Sequence, residues 1–229
     1  MSNIAVIPAR GGSKRIPRKN VKSFLGKPII AYSIEAALKS GIFCEVMVST
    51  DDDEIASVAK RYGAVVPFMR SAQNSNDYAG LADVCLEVID TYIVSGKKFD
   101  NLCCILPTAP FVTDKLLVDA FENLENDNYN CVYTIEEYSY PIQRSLKIES
   151  DYVKMCWPEN ISKRSQDLEK TYHDAGQFYF IKTDTLLSEK KLFTNKSGAI
   201  ILSSIEVQDI DTETDWALAE MKYKIINKM

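Results

Sequence analysis

Two groups of side chains, one near each end of the chain, have the types and spacing for phosphate chemistry. Near the start, the apolar run Ile4-Ala5-Val6-Ile7 passes through Pro8 and Ala9 into Arg10-Gly11-Gly12-Ser13-Lys14-Arg15-Ile16-Pro17-Arg18-Lys19-Asn20. Lys22 and Lys27 extend the positive charge, and the first carboxylate in the chain is Glu35. Gly11 and Gly12 let backbone N–H groups approach an oxyanion without interference from Cβ. Arg10 and Lys19 can then cancel the charge of a triphosphate from two sides. This is neither a Walker A loop nor the three spaced glycines of a dinucleotide fingerprint. Near the end, Asp209 and Asp211 stand two apart and would face one side of a strand. Hard oxygen donors so placed suit Mg²⁺ bridging phosphate oxygens, although the same spacing also serves to cap a following helix.

The elements that must carry these groups alternate. A buried strand that empties into a flexible cationic loop is the pattern of a ligand-binding edge in an α/β sheet. Ile29–Leu38 reads as a helix between Pro28 and Gly41, followed by a strand from Phe43 to Thr50. Asp51-Asp52-Asp53-Glu54 then reads as a helix start rather than a metal site. Ile55, Ala56, Val58 and Ala59 pack that helix as far as Gly63, and Val65–Phe68 reads as a return strand. Strand, helix, strand, helix, strand before residue 70 favours a layered α/β domain with a parallel sheet.

Arg70 lies directly beyond the last of these strands. A helix over Ala79–Val94 leads to a buried strand, Phe99–Leu106, and to the stiff turn Pro107-Thr108-Ala109-Pro110. A helix over Lys115–Asn126 and a strand over Asn130–Ile135 follow. Residues 136–170 break the rhythm, with Leu146–Ser150 and Tyr152–Trp157 reading as an inserted hairpin. Strand character resumes at Phe178–Ile181, before a short helix at Thr183–Glu189 and strands at Ala199–Leu202 and Ile205–Val207. The final helix draws its apolar face from Trp216, Leu218, Ala219, Met221 and Ile225.

A chain of 229 residues with 46% hydrophobic residues can bury one large core. No apolar run approaches the length of a membrane span and no basic leader precedes the first strand, so a soluble cytoplasmic protein is expected. A net charge of −5 disfavours a broad nucleic-acid surface while permitting a local anion pocket. Cys44, Cys85, Cys103, Cys104, Cys131 and Cys156 have no C-x-x-C spacing and read as reduced packing residues.

The stretch from Ala5 to Asn20, AVIPARGGSKRIPRKN, resembles the N-terminal signature of the cytidylyltransferases that activate nine-carbon 2-keto sugar acids such as sialic acid. The likeness extends over nearly the whole chain. Pro107-Thr108-Ala109-Pro110 stands where the sialic-acid enzymes carry Gln-Pro-Thr-Ser-Pro, with Leu106 replacing the Gln that contacts the sugar acid. Ser165 to Phe180 matches their Arg-Gln-Asp…Tyr…Asn-Gly-x-x-Tyr region, with Ser165 in place of the Arg. His173-Asp174-Ala175-Gly176-Gln177-Phe178-Tyr179 resembles the form found in enzymes handling pseudaminic acid. Asp209-Ile210-Asp211-Thr212 resembles the C-terminal signature.

The resemblance implies a three-layer, Rossmann-like nucleotidyltransferase fold over residues 1–229, with a mostly parallel twisted sheet flanked by helices. Residues 136–170 would be a hairpin excursion that reaches across a homodimer. It implies transfer of CMP from CTP to a nine-carbon 2-keto sugar acid, without nucleic acid or membrane. Ala9, Arg10, Gly11, Gly12, Ser13, Lys19, Asn20 and Arg70 would bind the nucleotide. Leu106, Thr108, Gln166, Tyr172 and His173 would line the sugar side, with Leu106 altering sugar selection. Asp209 and Asp211 would hold Mg²⁺, and Arg10, Lys19 and Asp211 would carry the chemistry. Pseudaminic acid is favoured as the sugar, with legionaminic or sialic acid as alternatives and a catalytically silent nucleotide-binding protein as a reading of another class.

Overall fold

The structure, a computed structural model, describes residues 1–229. Its elements in chain order are β1 (Asn3–Pro8), β2 (Ser23–Phe24), β3 (Lys27–Pro28), α1 (Ile29–Ser40), β4 (Glu45–Ser49), α2 (Asp53–Arg61), α3 (Leu81–Val94) and β5 (Asn101–Ile105). They continue with α4 (Asp114–Asn126), β6 (Cys131–Glu137), β7 (Leu146–Glu149), β8 (Tyr152–Met155), β9 (Tyr172–Lys182), α5 (Thr183–Glu189), β10 (Ser197–Leu202) and α6 (Glu213–Asn227). No helix is long and apolar enough to cross a membrane.

Every residue of β1 is buried, and it pairs in parallel with β4 on one side and β5 on the other. The six-stranded sheet runs β10-β6-β9-β5-β1-β4. Successive side chains of β1 point to opposite faces. Ala5 and Ile7 join a core beneath α1, α2 and α4, whereas Ile4 and Val6 join a second core beneath α3 and α5. Each fully buried aliphatic side chain contributes about 1.5–3 kcal/mol. Continuous apolar runs therefore settle in the middle of three layers. After β1 the chain first moves outward to β4 and then returns past β1 to β5. That reversal opens a crevice at the carboxyl ends of these strands.

The sheet is mixed. β9 enters between β5 and β6 and is antiparallel to both, while β6 and β10 are parallel. β9 also begins earlier than its apolar run, because Tyr172, His173 and Asp174 pair with Glu137, Glu136 and Ile135. Val65–Phe68 is not a strand: only Val65 bridges to Met47. Ile205–Val207 is likewise unpaired, since the chain has already left the edge of the sheet at Leu202. The inserted hairpin forms as β7 and β8, turned by Ser150 and Asp151 at φ 49° and 66°. Leu146, Ile148 and Val153 on it are exposed.

α6 buries only part of the face its sequence proposes. Trp216 and Ala219 are buried against Phe24, Tyr32 and Phe111, with Tyr223 packed beside them. Leu218, Met221 and Ile225 are exposed at 43%, 60% and 62%. Positions 216, 219 and 223 share one side of a helix, and the aromatic ring contacts of Phe24 with Trp216 and Tyr223 select that side.

Candidate active site

The two ends of the chain meet because each contributes one isoleucine to a third apolar cluster. Ile16, in the middle of the basic loop, and Ile210, between the two aspartates, are both fully buried with Phe24, Ile29 and Trp216. Burying the isoleucines forces their charged neighbours outward. The loop after β1 is thereby laid against the segment that follows β10, at the carboxyl edge of the parallel strands.

The loop is shaped by carboxylates at the start of α2. Asp52 caps that helix by accepting the Ile55 N–H at 3.0 Å, and it takes Arg18 in a two-pronged pair at 2.6 and 2.9 Å. Glu54 holds the same guanidinium. Arg18 occupies a left-handed conformation, φ 56°. Asp51 accepts the Gly11 N–H at 2.9 Å, and the Asn20 amide donates to the Arg10 carbonyl at 2.9 Å. A Cβ on Gly11 would lie 2.7 Å from the Asp52 carboxylate, so only glycine fits that close approach. The acidic run expected to start a helix does so, and it also braces the cationic loop. Hydrogen bonds from Arg18 hold the Asp52 carboxyl down at about 2.

Arg10, Ser13, Lys14, Arg15, Lys19 and Asn20 line a cleft of ≈ 370 Å³, whose other wall includes Pro107 and Thr108. Apart from Pro8 and Pro107, its lining side chains are polar or charged. Ala9 is buried beneath the cleft, its N–H donating to the Ser49 carbonyl at 2.9 Å. Gly12 is exposed, with open space where a side chain would begin. Thr108 thus sits with the basic groups rather than with Leu106.

Asp209 and Asp211 are not on a strand. They flank buried Ile210 in an unpaired segment, so both carboxylates face away from the core as the Asp-x-Asp spacing requires. The segment is fixed from three sides. Lys19 donates to the Ile210 carbonyl at 2.6 Å, Lys222 donates to the Val207 carbonyl at 2.6 Å, and Asp215 accepts the Asp211 N–H at 3.1 Å. Asp215 forms a reciprocal cap with Thr212 at the start of α6. Arg15 reaches Asp211 at 2.6 Å, and Lys19 lies 3.7 Å from it. Burial lowers the Lys19 pKa against the opposing pull of Asp211 and Asp209. Burial, reinforced by the charge of Asp211, raises that of Asp209.

This donor set fits Mg²⁺. Two neighbouring carboxylates whose mutual repulsion raises one of them gain from a shared divalent cation, and Mg²⁺ is commonly held by one or two carboxylates plus phosphate oxygens. No group of three or more His, Cys, Asp or Glu could hold a metal without such a substrate.

Asp209 also borders a second cleft of ≈ 490 Å³, together with Leu106, Glu136, His173, Asp174 and Lys222. Leu106 and Pro107, successive residues, face the two clefts, so the clefts share a wall. His173 has Nε2 3.7 Å from Glu136 and Nδ1 2.9 Å from the Asp174 carbonyl. The Tyr179 hydroxyl donates to Asp174; burial, then that carboxylate, pushes the phenol upward.

Arg70 and Gln166 stand apart from these clefts. Arg70 is buried at the end of β4, donating from Nε to the Ser49 hydroxyl at 3.0 Å and from its guanidinium to the Ser49 carbonyl. Gln166 lines a separate cleft of the excursion with Pro141, Ser165 and Glu169. Tyr172 begins β9 partly exposed, outside the residues lining the Asp209 cleft.

Glu136, Asp174, Asp77 and Lys222 were not singled out by sequence reasoning. The register of β6 against β9 brings Glu136 opposite His173, a pairing invisible until β9 is known to be antiparallel. Asp77 had a signal: it is the carboxylate closing the polar, turn-prone stretch that begins at Arg70.

The sequence pattern of the cytidylyltransferase family matches residues 4–225. A pseudaminic acid cytidylyltransferase of Campylobacter jejuni is 44% identical over 226 residues, covering 98% of this chain and 97% of that protein. A CMP-N,N'-diacetyllegionaminic acid synthase of Legionella pneumophila is 34% identical, covering 96% of this chain and 95% of that one. Among solved structures, a CMP:2-keto-3-deoxy-manno-octonic acid synthetase complexed with CTP shares the fold, with TM-score 0.71 at 17% identity and 100% of both chains covered. With the match running from β1 into α6 and these relatives alike over nearly their whole lengths, the chain belongs to the cytidylyltransferase family.

Proposed function

We propose that this protein transfers CMP from CTP to the C2 hydroxyl of pseudaminic acid, giving CMP-pseudaminic acid and pyrophosphate. The observation that carries the reading is the wall that a cationic cleft and a second cleft share at Leu106 and Pro107, with Lys19 of the first cleft 3.7 Å from Asp211 and Asp209 bordering the second. A triphosphate fits the first, and a nine-carbon sugar acid fits the second. The 44% identity with a pseudaminic acid cytidylyltransferase favours that sugar over legionaminic and sialic acids.

Both substrates are anions, so catalysis needs charge cancellation and fixed orientation more than an elaborate nucleophile. Arg10 and Lys19 neutralise the phosphate chain, while Gly11, Gly12 and Ser13 offer backbone to it and Asn20 holds the loop. Asp209 and Asp211 would hold Mg²⁺, which when bound polarises a phosphoryl oxygen and lowers the pKa of a coordinated hydroxyl. Leu106 and His173 border the sugar, with Leu106 presenting an apolar surface to it. Attack by the sugar oxygen on the α-phosphorus forms the new P–O bond and expels pyrophosphate, with no covalent enzyme intermediate.

The exposed apolar side chains Leu146, Ile148 and Val153 call for a partner surface, and a second copy of the chain is the proposed one. In that homodimer the excursion would bring Gln166 to the neighbouring sugar cleft. Pyrophosphate release from CTP and Mg²⁺, measured with pseudaminic, legionaminic and sialic acids, tests the assignment. Turnover highest with pseudaminic acid is expected. Equal or better turnover of sialic acid would reject the sugar, and no product with any of them would leave only a nucleotide-binding role.

A further inference from the structure

Asp77 occupies the cationic cleft with both of its carboxylate oxygens. Oδ1 accepts Arg10 Nη1 at 2.7 Å, and Oδ2 accepts Lys14 Nζ at 2.5 Å. Lys14, then Arg10, holds this carboxyl below the usual carboxylate range, so it is ionised at neutral pH. The residue is delivered by a built turn rather than a loose end. The Asn76 side chain accepts the N–H groups of Tyr78 and Ala79 at 2.7 and 3.0 Å. Glu87 of α3 accepts both the N–H and the hydroxyl of Ser71 at 2.7 and 3.0 Å, and it also takes the Asn74 amide.

A carboxylate that bridges two cations in this way makes the contacts a phosphate oxygen pair would make. The pairs are weak, because Arg10 and Asp77 side chains keep 35% and 41% of their exposure and Lys14 keeps 77%. Exposed pairs of this kind hold only weakly against solvent and salt. A polyanion can therefore displace Asp77, and Asp77 can return when the anion leaves.

We propose that Asp77 is an internal competitor for the polyphosphate seat on Arg10 and Lys14, weakening CTP and pyrophosphate binding and promoting release of pyrophosphate after transfer. The inference rests on the reading of this cleft as the triphosphate site. Apparent affinity is reduced by the fraction of molecules in which the seat is closed. Two weak pairs together correspond to roughly a two- to thirtyfold effect.

The test is calorimetric titration of inorganic pyrophosphate into the full-length protein without Mg²⁺, for the wild type, D77N and D77S. Both variants should bind pyrophosphate more tightly than the wild type, by roughly two- to thirtyfold, and pyrophosphate should inhibit their turnover at correspondingly lower concentration. Wild-type binding that D77N and D77S leave unchanged or weaken would overturn the role of Asp77 alone. If wild type, D77N and D77S all fail to bind pyrophosphate, or an R10M control binds it as tightly as the wild type, the reading of the cleft falls, and the competitor role with it.

Discussion

Lys19 and Ile210, 191 positions apart, are joined by a 2.6 Å hydrogen bond from the lysine ammonium to the isoleucine carbonyl. The same ammonium lies 3.7 Å from Asp211. One cation thus belongs to the cleft that suits a triphosphate and to the backbone that carries the acidic pair.

D211N tests the acidic pair. The substitution keeps the shape of the side chain but removes a charge facing Arg15 and Lys19. Turnover should fall by about 100-fold, the scale of losing one charge-stabilising group in a reaction centre. Stability should change by no more than about 1 kcal/mol, because the Arg15 pair is exposed. Steady-state kinetics over a Mg²⁺ series, beside urea denaturation, separates the two effects. Normal Mg²⁺-dependent activity would reject the role given to Asp211.

Ile210→Ala should act through the buried cluster. The side chain is fully buried beside Ile16 and Trp216, and such a truncation costs about 2–5 kcal/mol. Ile210→Val should cost only about 0.5–1.5 kcal/mol. Urea unfolding measures both. Because Ile210 sets the position of its neighbours, KM for CTP should rise in the alanine variant under conditions where it remains folded.

Gly11→Ala would place a Cβ 2.7 Å from the Asp52 carboxylate. The loop must then shift, and KM for CTP should rise by roughly tenfold, the effect of about 1.4 kcal/mol. Adding Asp52→Ala removes the clashing oxygen, so the double variant should recover part of that loss. A double-mutant cycle in kcat/KM reads the coupling directly.

Asp52 should also leave a mark on acid stability. Its carboxyl falls from the 3.8 of a free aspartate to about 2 on folding, chiefly through hydrogen bonds from Arg18. The folded state therefore binds this proton less readily than the unfolded state. The stability gained is fully present above pH ~4 and disappears as pH falls toward ~2. D52N retains a good helix cap and loses the ion pair, for a cost of about 1 kcal/mol at neutral pH. In urea titrations at stepped pH, the gap between wild type and D52N should close across that acid window.

Much of the fold was legible because β1, β4 and β5 are short apolar runs ending in loops, and because α1, α2 and α4 have clear start and stop residues. The capping role of Asp52 followed from its place before Ile55. β9 was only half legible: its apolar segment shows, whereas His173 and Asp174 look like loop residues until their pairing with β6 is seen. The Asp-x-Asp spacing put both carboxylates on one side of an expected strand, whereas the segment is unpaired and only Ile210 between them is buried. α6 misled because Leu218, Met221 and Ile225 form a credible apolar stripe, and only the ring cluster of Phe24, Tyr32 and Tyr223 reveals which side is covered. Likewise, nothing in the sequence shows that Arg70 turns away from the clefts, because the Ser49 hydroxyl and carbonyl that engage its guanidinium are 21 positions away.

The most direct test is a crystal structure grown with CTP and Mn²⁺ in place of Mg²⁺, located by its anomalous signal. The account predicts one metal peak bound by Asp209, Asp211 and a phosphate oxygen at about 2.0–2.3 Å, allowing for a cation slightly larger than Mg²⁺. Arg10 and Lys19 should contact the same nucleotide. A metal bound elsewhere, or a nucleotide that leaves Arg10 and Asp211 in unrelated pockets, would contradict it.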